Sequence, residues 1–277
     1  MYTYKKLIDD YKRLTGMGIK GGSIGKSVRG KSIPYLHVGD ACGKQILIQG
    51  AIHAREWPTA LLMIKQAEHL MRQSLCGGVY LVPMSNPDGN AIAEGIEQPL
   101  IDKSLLGDYD YRLYKANANG VDLNTNFDAQ WGHGDSNRLT VGISDYIGEY
   151  PCSEPETQAL KSFTVAVKPQ LTISYHAKGQ EVYYAFNQSG NQKCRDRRIA
   201  SLAAEALGYT VRHDIGGIGY AVLSTGGYKD WCIGTLGIPA LTIEIISDNF
   251  EHPLTADALA PDVDNNLKLP KILLDAL

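Results

Sequence analysis

No sign of charge dominates this chain of 277 residues: 27 Lys and Arg stand against 30 Asp and Glu, a formal net charge of -3. That balance leaves no electrostatic footprint for nucleic acid and no basic arm for a membrane surface. Cysteine is sparse. Cys42, Cys76, Cys152, Cys194 and Cys232 are odd in number and scattered without CxxC spacing, which argues against a disulfide framework or a thiolate zinc site. Long apolar runs are missing too: the first stretch, MYTYKKLIDDYKRLTG, is charged and amphipathic, with neither a signal peptide's apolar core nor a membrane span. The expectation is a cytoplasmic protein. Repeats, low-complexity tracts and linkers are also lacking, so residues 1–277 read as one domain.

What is present is alternation. Strand-like runs (KQILIQG, GVYLVPM, QLTISYH, ALTIEII) interleave with helical ones (PTALLMIKQAEHLMRQ, SEPETQALKSFTVAV, RRIASLAAEALGY), the pattern of an α/β fold with a largely parallel or mixed sheet. Pro58 suits the first turn of one helix, and Ser153 with Glu156 spells an S-x-x-E capping box for another. Gly208 stands where a helix would end in a left-handed residue. Residues from about 90 to 150, rich in Gly, Asn and Asp, read as extended loops over the sheet, where a cleft is built.

His53 and Glu56 lie in GAIHAREWP, between the strand KQILIQG and the helix at Pro58. Ligands of open α/β sheets gather outside the carboxyl ends of strands, and this turn lies there. An H-x-x-E pair can aim an imidazole and a carboxylate at one point, and His176, closing LTISYH, offers a third ligand; a catalytic zinc then keeps a fourth position for water. His69, His37, His133, His213 and His252 sit in a helical pattern, a strand or loops and suit this less. Glu244, flanked by Ile243 and Ile245 in PALTIEII, is costly to bury unpaired, so it faces a polar cavity or a cation, where it can serve as general base.

At this point the residues resemble the zinc carboxypeptidase family. GAIHAREW is similar to the family's H-x-R-E-W zinc motif, SNPDG to its N-P-D-G turn and GVDLNTNFDAQWG to its D-x-N-R-N-[FW] segment. SEPET resembles its S-E-P-E-[TS] helix start, and GGYKDW with LTIEI its D-W and T-x-E. The resemblance implies a three-layer α/β/α fold with a mixed, twisted sheet of about eight strands and one Zn2+ per chain. It makes His53, Glu56 and His176 the ligands, Glu244 the general base, and Asp122 the partner that hydrogen-bonds the first zinc histidine. Lys115, in LYKAN, takes the place of the family Arg that helps polarise the scissile carbonyl, and Arg55 matches a substrate-contacting residue.

The departures bear on substrate. Family members that trim free C-termini grip the terminal carboxylate with an Asn-Arg pair, here Asn124-Thr125, and Thr cannot form the bidentate contact. The family's mobile Tyr aligns with Val222, with Tyr220 as its substitute after a small loop shift. The residue that sets side-chain preference is Lys229, a cation that would attract a substrate carboxylate. The LYKAN and GVDLN segments resemble those of bacterial members that cut the γ-D-glutamyl–meso-diaminopimelate bond of cell-wall peptides, so the resemblance implies a zinc peptidase acting on peptide or muropeptide substrates, with that bond as the one cut. The alternatives are an ordinary metallocarboxypeptidase, an N-acyl amino acid deacylase of the same superfamily, and a silent peptide-binding protein. Neither nucleic acid nor membrane is expected as a partner.

Overall fold

The computed structural model describes residues 1–212 and 224–277. Its strands are β1 (Lys20–Lys26), β2 (Ser32–Gly39), β3 (Lys44–Gln49), β4 (Gly77–Val82), β5 (Leu171–Ala177), β6 (Glu181–Tyr183), β7 (Thr210–Arg212) and β8 (Ala240–Ile245). They form one mixed sheet in the order β1-β2-β4-β3-β5-β8-β6-β7. The four strands at the centre, β4, β3, β5 and β8, run parallel. Parallel strands are covered on both faces, and β5 (LTISYHA) is buried at every position.

Successive side chains of a strand point to opposite faces. Ile46 and Ile48 of β3, Ile173 and Tyr175 of β5, and Leu241, Ile243 and Ile245 of β8 enter one core with helices Tyr4–Gly16, Pro58–Leu70, Gly190–Leu207 and Val263–Ala276. On the other face helices Pro155–Val167 and Tyr228–Leu236 contribute Ala159, Leu160, Trp231 and Ile233 to smaller clusters. The result is the expected α/β/α architecture. Toward the carboxyl ends of β3, β5 and β8 this second face carries the polar residues Gln49, Ser174, His176 and Glu244. No helix among the described residues is long and apolar enough to cross a membrane.

Local chemistry sets the helix ends. Pro58 takes the first helical position, and helix Gly190–Leu207 stops at Gly208 with φ 75°, as a left-handed cap requires. The capping box expected at Ser153 does not form. The helix begins at Pro155 with Glu154 at the N-cap and no side-chain cap bond, and Ser153 donates instead to Glu154 Oε1 at 2.8 Å. Glu156 turns away to accept from the Val28 amide at 3.0 Å and from Asn117 at 3.3 Å. A long-range demand for acceptors overrides the local signature.

Candidate metal centre

Between β3 and the helix at Pro58 the chain makes a tight loop held by hydrogen bonds. Ala51, at φ 44°, donates its amide to Thr59 Oγ1 at 2.7 Å, and that hydroxyl reaches Glu56 O at 2.8 Å. Asn86, first residue of the N-P-D-G turn, braces the loop: its side-chain amide donates to Ile52 O and Ala116 O, each at 3.1 Å, while its Oδ1 accepts from the Gly89 amide at 2.9 Å. A Cβ on Gly89 would come within 2.4 Å of Ala116 O, so only glycine lets the two loops approach. His53 and Glu56 are thereby fixed above the sheet, while His176 rises from the end of β5.

The three side chains converge. His53 Nδ1 lies 2.8 Å from Glu56 Oε1, His176 Nδ1 lies 3.2 Å from Glu56 Oε2, and the two Nδ1 atoms are 3.1 Å apart. All three residues are buried. The outer nitrogens are engaged elsewhere: His53 Nε2 meets Asp122 Oδ1 at 3.1 Å and His176 Nε2 meets Ser174 Oγ at 3.0 Å. An ionised Asp122 only accepts, so a neutral His53 carries its proton on Nε2 and turns the Nδ1 lone pair toward the cluster. Two such nitrogens and a carboxylate aimed at one point repel unless a cation sits among them. The donor set is therefore the one zinc takes in catalytic sites: two imidazoles, one carboxylate and room for another ligand.

Burial opposes a charged imidazole, but the Glu56 and Asp122 carboxylates together outweigh it and push His53 up to about 9, so without an ion a proton takes the position between His53 and Glu56 that the ion would hold. Burial raises Glu56 and Asp122, yet His53 and His176 together in the first case, and Lys115 and His53 together in the second, hold them well below the usual carboxylate range. Glu244 is the counter-example: desolvation, and then the Glu56 charge, raise it well above its ordinary value. It stands beside His176 as its register partner on β8, at the strand spacing of about 4.8 Å. A divalent ion in the cluster would offset both effects.

The remaining residues singled out in the sequence are less uniform. Lys115 is not a free cation: its Nζ pairs with Asp122 Oδ2 at 2.8 Å and Asp145 Oδ1 at 3.2 Å. Arg55 has its Nε buried without a hydrogen-bond partner. Asn124 uses its Oδ1 to accept from the Tyr228 amide at 3.2 Å. Thr125 is buried, its hydroxyl donated to the Asp122 carbonyl at 2.9 Å, so it offers no charged contact. Lys229 is tied to the Asp230 carboxylate and to Ala185 O, the latter at 2.7 Å. Tyr220, with Val222 and His213, lies outside the described residues.

Asp145, Gln49 and Ser174 were not foreseen. For Gln49 and Ser174 a signal existed: each is a polar side chain inside an otherwise apolar strand, ILIQ and LTISYH. Asp145 has no such mark, since only the fold brings it to Lys115.

A buried His-Glu-His cluster at the strand ends of an α/β/α sheet, with a carboxylate beside it, defines a zinc metallopeptidase. Residues 5–268 match the zinc carboxypeptidase family, and the chain belongs to it. Gamma-D-glutamyl-L-diamino acid endopeptidase 1 of Lysinibacillus sphaericus is 28% identical over 278 residues, spanning 92% of this chain and 68% of its own length. Among solved structures, thrombin activatable fibrinolysis inhibitor matches with a TM-score of 0.78 at 20% identity, over 99% of this chain and 76% of that one. The murein-tripeptide amidase MpaA from Escherichia coli O157 matches at 0.60 and 23% identity, over 92% and 91%. At these identities the structural likeness is one of fold.

Proposed function

We propose that this zinc peptidase hydrolyses an amide bond in peptidoglycan-derived peptides, the bond between γ-D-glutamate and meso-diaminopimelate. The observation that carries the reading is the state of Thr125: where C-terminal-trimming relatives have a guanidinium beside Asn124, this chain has a hydroxyl turned inward to a main-chain carbonyl. In its place the Lys229–Asp230 pair brings both signs of charge close to Asn124, with Gly227 between them. That pairing suits a leaving group bearing an ammonium and a carboxylate, as diaminopimelate does. The name of the Lysinibacillus relative, an endopeptidase for γ-D-glutamyl–diamino acid bonds, points the same way.

In this reading His53, Glu56 and His176 hold the ion. Zinc supplies Lewis-acid polarisation of the scissile carbonyl and makes a water acidic enough to attack. Glu244 accepts the proton of that water and returns it to the departing amine. Asp122 keeps the His53 proton on Nε2, and Lys115 neutralises Asp122; the same ammonium is assigned the charge that stabilises a developing oxyanion. Arg55, with an unspent Nε, contacts the substrate.

The test is mass spectrometry of zinc-loaded protein with L-Ala-γ-D-Glu-meso-diaminopimelate beside an ordinary C-terminal peptide, with Glu244→Gln as control. Release of diaminopimelate that the variant loses is the expected result. Cleavage of the ordinary peptide alone would overturn the substrate while leaving the metal site intact.

A further inference from the structure

Beneath the metal cluster two neighbouring strands and the segment after a third contribute one polar file. Gln49, last residue of β3, and Ser174 of β5 are register partners on the cleft face of the sheet. The Gln49 side-chain amide donates to Ser174 Oγ, and its Oε1 accepts from Ser85 Oγ, just beyond β4, at 3.0 Å. Ser174 Oγ in turn meets His176 Nε2 at 3.0 Å. Gln49 and Ser85 are buried, and so are Ser174 and His176.

Proton accounting gives this file a direction. The Ser85 hydroxyl needs an acceptor and finds the Gln49 carbonyl, which leaves the Gln49 NH2 aimed at Ser174. An amide N–H can only donate, so Ser174 Oγ accepts it on one lone pair and is held in place with a second lone pair to spare. With Nδ1 turned to the cluster as a ligand, the His176 imidazole carries its proton on Nε2 and donates it to that second lone pair. We propose that Gln49, acting through Ser174, is a positioning residue that fixes the ring orientation of His176 for the metal. The inference rests on the reading of His176 as a ligand.

The two histidines are thus held in different ways. His53 leans on an anion, Asp122, which has its own counter-charge in Lys115; His176 leans on a neutral hydroxyl and amide. A carboxylate at Ser174 would add a further negative charge beside Glu56 and Glu244 at the least solvated point of the site. A neutral acceptor specifies the same proton without that cost.

The experiment measures zinc affinity by chelator competition, and the visible spectrum of the Co2+-substituted protein, for Gln49→Leu, Ser174→Ala and the double variant. Each single change is expected to weaken zinc roughly 10- to 100-fold, shift the Co2+ bands and lower kcat with KM unchanged. Because Gln49 works only through Ser174, the double variant loses no more zinc affinity than Ser174→Ala alone. Additive losses, or wild-type affinity and spectrum in folded Gln49→Leu, would overturn the proposal. Should Gln49→Leu fail to fold, Ser174→Ala decides it by the same two readouts. His176→Ala separates the premise: unchanged zinc affinity there would remove His176 from the ligand set, whatever Gln49 does.

Discussion

Two groups of buried carboxylates are treated differently in this chain. Around the metal cluster, Glu56 and Asp122 lie against His53, His176 and Lys115 and are held in the ionised form. Behind the 115–121 loop, Glu154 and Glu156 are just as buried, but their partners are uncharged: Asn117 and Asn119 amides on Glu154 at 2.7 and 2.8 Å, the Val28 amide and Asn117 on Glu156. Burial there pushes Glu156 up to about 7. Depth alone does not decide the charge of a buried acid; the sign of its neighbours does. The two groups share a support, since one short segment sends Lys115 into the first and Asn117 into the second. The second group fixes the loop from which the first takes its cation.

Removing the cleft-facing acid should have the largest effect. Glu244→Gln is expected to lower kcat by roughly 10²–10⁴, the range of a lost general base, while zinc content measured by atomic absorption stays at one per chain. Retained activity would reassign the base.

Next comes the uncompensated acid. The folded value of Glu156 lies above its ordinary 4.5, so the folded state binds the proton more tightly than the unfolded one. The stability it contributes is complete below about pH 4.5 and is lost as pH rises through 7, on the order of 3 kcal/mol in all. Glu156→Gln carries a constant penalty for its amide facing Asn117 but no slope of this origin. Urea unfolding at pH 5 and pH 8 should show wild type losing more stability than the variant; equal losses would place Glu156 among compensated acids.

The compensated acid should matter less to folding and more to metal. Asp122→Asn is expected to cost 10- to 100-fold in zinc affinity by chelator competition, roughly the effect of losing a ligand's hydrogen-bond partner, with Lys115 still held by Asp145. The smallest effect is expected at the mixed-charge pair beside Asn124. Lys229→Met should raise KM for the diaminopimelate peptide about tenfold, the scale of one charge-assisted contact, and leave an ordinary peptide's kinetics alone. A change equal for both substrates would make Lys229 structural.

Much of this was legible in the sequence, and the reasons are physical. The central strands are short apolar runs, and chemistry placed at their carboxyl ends stands out, as His53, His176 and Glu244 did. The α/β/α fold followed from alternation and from the resemblance together. Three-residue strands such as β6 and β7 carry too little pattern to read. The Ser153 box misled because its Glu was required as an acceptor by Val28, 128 residues away. The charge of Lys115 was visible, but its two carboxylates were not, because pairing across 7 and 30 residues of irregular chain leaves no periodic trace.

The placement of Glu244 opposite His176 also bears on how the sheet assembles. Both come from strands whose alternate residues enter an apolar core, so a slip of one residue between β8 and its neighbours would send the carboxylate into hydrocarbon and an isoleucine into the cleft. The wrong register is penalised by the cost of a buried acid before any substrate arrives. Recovery of turnover after refolding therefore reports strand alignment as well as metal uptake, and the residue that carries the chemistry doubles as a checkpoint on assembly.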